Sequence, residues 1–508
     1  MFATVRARFG DRLRLNGLPD LASRAFRYPA SVFTVMLSAY LVTRYEVLHN
    51  SRLVMWWDTF SYAYRNDPQW DRGPLVSFTG HAPRLWGAPL LFALFHGDVR
   101  RSDAQWAIST VAWALLAWVL WMSFRSLAAR VLASGAVLVF ALLTPVTEWD
   151  FAILSESLSI SLGVVVVAMF LLWMRTRTKI PLVVLTAAAF YWTFVRPELR
   201  VFVVILIGVL AFFWWRRVEL RRAVAASVVV LVGAVAWCSA IMPNVYRSFG
   251  PYSRSRISEN VELLVWKLPY IYGNPRVKHI YEQQLGMPPC PGALREVGRD
   301  WYRMADEVRA CPELVAWAEA HGNDPVRFAL AAPDRVLADV WNVAPAAFGG
   351  VDGYGLYGSP GSVFPAKIDR FMFRADRSRF IALICLVVLA IVGAVLSGAL
   401  RRRRPYVVTA FVLIVAALVS ELAGLIVLDS EPARYSVQEN FAVRIALLLL
   451  VVSTLDVLVE RFTRRTDRGA AAEADVPAST LSEQRNESPP RATSDPLAAP
   501  VGVSDVCA

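Results

Sequence analysis

Ten apolar runs close to 20 residues long divide this chain, at about 29–48, 104–124, 128–146, 154–174, 180–196, 199–215, 222–242, 379–400, 405–428 and 441–460. A helix of roughly 20 residues, rising ~1.5 Å per residue, crosses a hydrocarbon layer about 30 Å thick. A chain of 508 residues with a mean hydropathy of +0.43 and this rhythm of runs is expected to be an all-α polytopic membrane protein of about ten transmembrane helices. Its first segment, "MFATVRARFGDRLRLNG", is basic, but no apolar run with a small-residue cleavage site follows it directly. A cleaved signal peptide is therefore not expected.

The net charge of +12 raises the question of nucleic acid, but the basic residues are placed otherwise. Almost all are arginines, and they crowd alternate connections: Arg125 and Arg130; Arg175, Arg177 and Lys179; Arg216, Arg217, Arg221 and Arg222; Arg401 to Arg404; and the stretch from Arg461. Short basic connections stay on the cytoplasmic side. The expectation is a multi-pass cell-membrane protein with both termini cytoplasmic and no nucleic-acid partner. Connections of the other parity, "TPVTEWDFA" and "DSEPARYSVQEN", are acidic or mixed.

Four segments follow. Residues 1–242 form an N-terminal transmembrane module whose first outer loop covers 49–103, and residues 243–378 are long enough for a small extracytoplasmic domain. Residues 379–460 hold the last spans. From 461 to 508 the tail is rich in Ala, Ser, Pro, Thr and Glu, a composition expected to be disordered. Cys290 and Cys311 both fall in the large outer loop, where an oxidising compartment permits a disulfide. Neither "MPPCPG" nor "RACPEL" has the paired spacing of a zinc site.

The polar residues that carry chemistry gather in the outer connections. Asp58, in "VMWWDTFSYAYRND", lies among aromatics that favour the headgroup level. It is a solvated loop charge or a catalytic carboxylate held where lipid meets water. Glu148 and Asp150 occupy the tip of the second loop, and Glu156 opens the next helix, where it serves as a cap for the dipole or as a site residue. Arg196, in "FVRPELR", meets a lipid phosphate or holds a substrate phosphate through its fork. The last outer loop, "LDSEPARYSVQEN", offers Arg434 and Tyr435. Glu421 and Arg444, inside the flanking spans, form a structural pair or serve substrate.

In these places the chain resembles the GT-C superfamily of membrane glycosyltransferases, in particular its protein O-mannosyltransferase and aminoarabinose-transferase branch. The resemblance rests on "WWDTFSY" soon after the first span, on "HAPRLWGAPLLFALF", on the acidic second loop leading into "LSESLSISL", and on a late "PARY". It covers roughly the first 200 residues well and the last 80 loosely. It implies transfer of a sugar from a polyprenyl-phosphate carrier to an extracytoplasmic glycan, lipid or protein acceptor. Asp58 would be the base or metal-side carboxylate and Asp150 the second-loop acid. Arg84, Glu148, Glu156, Arg196, Arg434 and Tyr435 would contact donor phosphate or substrate. Many O-mannosyltransferases carry Asp-Glu at the first site, whereas Thr59 follows Asp58 here, so the sugar stays open.

The chemistry suits these residue types. A lipid-phosphate sugar brings its own leaving group, so a carboxylate base worth ~10²–10⁴-fold and fixed cations near the phosphate suffice. A divalent metal is compatible with the carboxylates, but no ligand spacing demands one. The competing readings are an envelope polysaccharide polymerase or ligase, a non-catalytic membrane scaffold, and a transporter. The transporter would need ionisable groups near the midplane and matching broken spans.

Overall fold

A computed structural model describes residues 29–56, 58–64, 74–216, 220–248, 258–297, 299, 301–322, 324–349, 363–374, 376–427 and 436–474. The chain divides into two units, Met1–Val457 and Leu458–Ala508. Among the described residues the protein is helical, and the only β-type pairing is a single bridge between Val54 and Ala152.

The main helices are α1 (Pro29–Asn50), α2 (Thr59–Ala63), α3 (Gly87–Leu94), α4 (Asp98–Ser123), α5 (Leu127–Phe140), α6 (Glu156–Thr176), α7 (Lys179–Val195), α8 (Arg200–Trp215) and α9 (Arg221–Ser248). They are followed by α10 (Glu259–Gly273), α11 (Trp301–Arg309), α12 (Pro312–His321), α13 (Pro333–Gly349), α14 (Arg377–Leu396), α15 (Arg404–Val427) and α16 (Val437–Ala474). Seven of them, α4, α6, α8, α9, α14, α15 and α16, contain stretches long and apolar enough to cross a membrane. An all-helical chain with seven such helices among the described residues is consistent with a polytopic membrane protein.

The expected ten spans are thus reduced, for reasons visible in the residues. The run at 128–146 breaks after Phe140 and resumes at Thr144–Phe151 with a bend of 62°. Pro145 is at the restart, where its fixed φ suits a first turn. Helix α7, a shorter apolar helix of 17 residues, stands outside the set of seven. Helix α1 interrupts its apolar face with Arg44 and falls outside the set of seven. At the other end, α16 does not stop near residue 460 but continues to Ala474, so 461–474 is helix rather than disordered tail. The remainder of the expected tail lies outside the described residues.

Local caps explain several boundaries. The Ser126 hydroxyl accepts from the Ala129 amide at the start of α5, and the Asp376 carboxylate accepts from the Arg379 amide at the start of α14. The core of the bundle forms where α6 packs along α4 and α7, and where α9 packs along α7 and α8. Of the apolar stretch in α6, 72% is buried inside the protein; in α14 only 17% is. Helix α6 therefore meets other helices, while the exposed apolar sides of α14 suit lipid.

Helices between Ser258 and Ala332 build a second apolar cluster, with Leu264, Leu268, Tyr281, Val308, Trp317 and Phe328 at its centre. A disulfide joins Cys290 to Cys311 across 21 positions of sequence, with Cα atoms 6.1 Å apart. It ties the turn before Pro291–Glu296 to the start of α12.

Candidate active site at the Asp58 end of the bundle

The last turn of α1, the first turns of α4 and α6 and the end of α7 meet at one end of the bundle, together with α2 and α3. Asp58 precedes α2, in a segment anchored from two sides. The Val54 amide donates to the Phe151 carbonyl (2.9 Å), and the Trp56 amide donates to the Thr59 hydroxyl (2.8 Å). The Asp58 side chain turns away from the capping position to meet Arg84, Nη2 to Oδ1 at 3.0 Å. Both side chains are about one-quarter exposed, at 26% and 24%. Each side chain keeps an edge open to solvent, so a polar group from solution can reach either partner.

Arg84 is held on three sides. Its Nε donates to the Ser61 hydroxyl (2.7 Å), and its guanidinium lies 4.6 Å over the Tyr62 ring. The strand of chain that delivers it is fixed by the helix that follows. Gly87 packs so tightly on α7 that a Cβ there would sit 2.5 Å from the Phe194 carbonyl oxygen, and the Tyr191 hydroxyl donates to the Gly87 carbonyl (2.7 Å). Trp86 stacks on Phe194 with ring centres 4.6 Å apart and is flanked by Tyr191 and Trp237.

From Arg84 the polar contacts run inward. The Tyr62 and Ser155 hydroxyls are 3.1 Å apart, and Ser155 reaches Glu156 Oε2 at 3.4 Å. Arg196 lies between two carboxylates, 3.6 Å from Glu156 and 2.5 Å from Glu198. Burial pushes the Tyr62 phenol above its ordinary pKa; nearby Arg84 opposes the shift and Glu156 adds to it. Tyr62 therefore stays a neutral hydroxyl linking the two arginine centres. Glu439, at the start of α16, accepts from the Ser420 hydroxyl (2.6 Å) and lies near enough to Arg196 to interact with its charge.

The structure therefore brings together Asp58, Arg84, Glu156 and Arg196. It does not bring Asp150 to them. Asp150 is 1% exposed and pairs with Arg44 of α1 at 2.6 Å; Ser157 donates to its other oxygen (2.5 Å). Arg44 in turn donates to the Thr110 hydroxyl of α4 (3.0 Å). A carboxylate enclosed in this way holds α1, α4 and α6 together, and the reading of Asp150 as a second reacting acid does not fit its place. Glu148 is buried in the same turn. Of the two readings of Glu421 and Arg444, the structural pair does not form: Arg444 donates to the carbonyls of Phe348 (3.0 Å) and Met372 (2.6 Å), and its guanidinium lies over Phe373. Arg434 and Tyr435 lie outside the described residues. No group of three or more His, Cys, Asp or Glu side chains is placed to hold a metal ion among the described residues.

Sequence reasoning missed Arg44 and, in "LSESLSISL", Ser157 and Ser159. A lone arginine inside the apolar stretch "LSAYLVTRYEV" was the available signal, since such a charge needs a partner. The alternating serines divide their work: Ser155 to Tyr62, Ser157 to Asp150, and Ser159 accepting from the Trp192 indole (2.8 Å). At the opposite end a second buried pair went unread. Asp456 of α16 accepts from Arg403 (2.7 Å) and from the Ser126 amide (2.8 Å). Compared with protein-family models, curated proteins and solved structures, the chain has no match.

Proposed function

We propose that the protein is a glycosyltransferase that moves a sugar from a polyprenyl-phosphate carrier to a hydroxyl of an acceptor, at the extracytoplasmic face. The observation that carries the reading is the half-open Asp58–Arg84 pair, joined through Tyr62 and Ser155 to the buried Glu156–Arg196 pair. Partial exposure leaves the Asp58 carboxylate within reach of an acceptor hydroxyl. Arg84 sits where its fork can exchange Asp58 for a phosphate oxygen. That exchange frees Asp58 to act as a base as the donor arrives.

In the reaction the acceptor oxygen attacks the anomeric carbon. The bond from that carbon to the phosphate oxygen breaks, and the phosphate leaves with the electron pair. The hydroxyl proton passes to Asp58. Arg84 stabilises the phosphate charge as it develops, and Arg196 supports it from the buried side.

The test is transfer from a polyprenyl-phosphate sugar by purified variants. Asp58→Asn keeps the size of the side chain and removes its basicity, so turnover should fall ~10²-fold or more. Asp67→Asn and Asp71→Asn, later in the same connection, should be nearly silent. Normal transfer by Asp58→Asn, with loss in Asp67→Asn, would move the base elsewhere. No loss in any of the three would remove the enzyme reading.

A further inference from the structure

At the end of the bundle away from Asp58, α15 packs against α6 and α8, and a groove of about 320 Å³ lies between them. Ile205, Val209, Phe212 and Phe213 of α8 form one wall, and Val408 and Val412 of α15 form the other. The charged residue of the lining is Arg404, the first residue of α15, and no Asp or Glu lines the groove. Two more arginines border it through its aromatic rings. The Arg216 guanidinium lies 5.9 Å over Phe212, and that of Arg177 lies 5.0 Å over Phe213.

Arg403 and Arg404 are neighbours with different engagements. Arg403 is buried against Asp456 (2.7 Å), whereas Arg404 is exposed, with neither a hydrogen bond nor an ion pair among the described residues. The groove reaches the surface at Phe212, which is 46% exposed, and Trp214 and Trp215 follow at 42% and 68%. Exposed tryptophans beside arginines at the end of an apolar helix mark the headgroup level. The walls are apolar from there inward, along α8 back to Ile205 and along α15 on to Val412. The volume is about twice the ~150 Å³ of a cavity that takes benzene, so it has room for roughly a dozen carbons. An apolar slot with cations at its headgroup end fits an alkyl chain that carries an anionic head.

We infer that this groove binds an anionic phospholipid of the surrounding leaflet, with part of one acyl chain between α8 and α15 and the phosphate on Arg404. Arg177 and Arg216 add positive charge at the rim. With no carboxylate in the lining to offset them, the site favours a headgroup of net negative charge over a zwitterionic one. The inference rests on these helices standing in a membrane and not on the transferase reading, since it involves no turnover.

The test uses the full-length protein in phosphatidylcholine nanodiscs that contain a trace of phosphatidylglycerol or phosphatidylcholine with a diazirine in one acyl chain. Photolysis followed by peptide mapping should place the phosphatidylglycerol label on residues 205–213 or 408–412. Its yield there should be about fivefold above that of the phosphatidylcholine probe, the scale of one arginine at a membrane surface. Arg404→Gln should lower the phosphatidylglycerol label by a similar factor, and Arg404→Lys, which keeps the charge, should retain most of it. Val209→Trp, which fills the groove, should abolish labelling by both lipids; if that variant does not fold, the two Arg404 variants decide alone. Excess inorganic phosphate should leave the labelling unchanged. Equal labelling by the two lipids, labelling unchanged in Arg404→Gln, or displacement by inorganic phosphate overturns the assignment.

Discussion

Two aspartates read alike in the sequence, both in connections at the same end of the spans, and burial separates them. Asp58 shares a weak, half-open pair with Arg84, whereas Asp150 is enclosed with Arg44. Removing one partner of a buried pair leaves the other charge uncompensated, which costs ~3–5 kcal/mol. Asp150→Asn should therefore lower the Tm of the detergent-solubilised protein by several degrees. The Arg44→Met, Asp150→Leu double variant should recover much of that loss, because replacing a whole buried pair with apolar groups is close to neutral. Asp58→Asn should lower the Tm less than Asp150→Asn does, since about a quarter of the Asp58 side chain faces solvent. Thermal unfolding of the four proteins decides: if Asp58→Asn proved the more destabilising variant, the roles of the two aspartates would be reversed.

At the scale of elements, the position of Arg84 depends on how α3 docks on α7. The contact is backbone on backbone at Gly87, with Trp86 packed into the aromatic group of Phe194, Tyr191 and Trp237. Gly87→Val would drive a side chain into the Phe194 carbonyl and push α3 outward. Overpacking of this kind costs ~1–3 kcal/mol. Transfer should fall along with stability, because Arg84 moves with the helix. Gly208→Ala in α8 is the control: nothing lies within 4 Å of its added Cβ, and alanine favours helix over glycine by ~1 kcal/mol. Activity assays on the two variants, normalised to folded protein, check the argument. Equal activity in both would mean that α3 does not position the site.

At the scale of the whole molecule, buried ion pairs tie helices together near both ends of the bundle: Arg44–Asp150 at one and Arg403–Asp456 at the other. The cluster between Ser258 and Ala332 is small, and the Cys290–Cys311 disulfide supports it. Closing a loop of this length contributes about 3 kcal/mol in the chain-entropy account. Cys290→Ser should make residues 259–349 cleave faster under limited proteolysis while the spans stay intact. An unchanged cleavage pattern would deny the disulfide that supporting role. The arginine-rich connections make a further expectation testable. Single cysteines placed at 401–404 should be protected from an impermeant reagent added outside intact cells, and cysteines in 259–349 should be labelled. The reverse pattern would invert the topology.

Apolar runs of membrane-spanning length were enough to give a helical protein with several helices able to cross a membrane, because hydrophobic length acts locally along the chain. Asp58 and Arg196 stood out for the same reason, as ionisable groups beside apolar runs. What the sequence could not decide was partnership. Arg44 and Asp150 are 106 positions apart, and Arg403 and Asp456 are 53. Which charges pair is settled only when the helices pack and solvent is excluded. Whether Glu421 and Arg444 would pair was open for this reason, and Arg444 meets backbone carbonyls instead. The same packing turned Asp150 into a structural anchor and left Asp58 open. Burial belongs to the assembled bundle, and burial determines what each carboxylate can do.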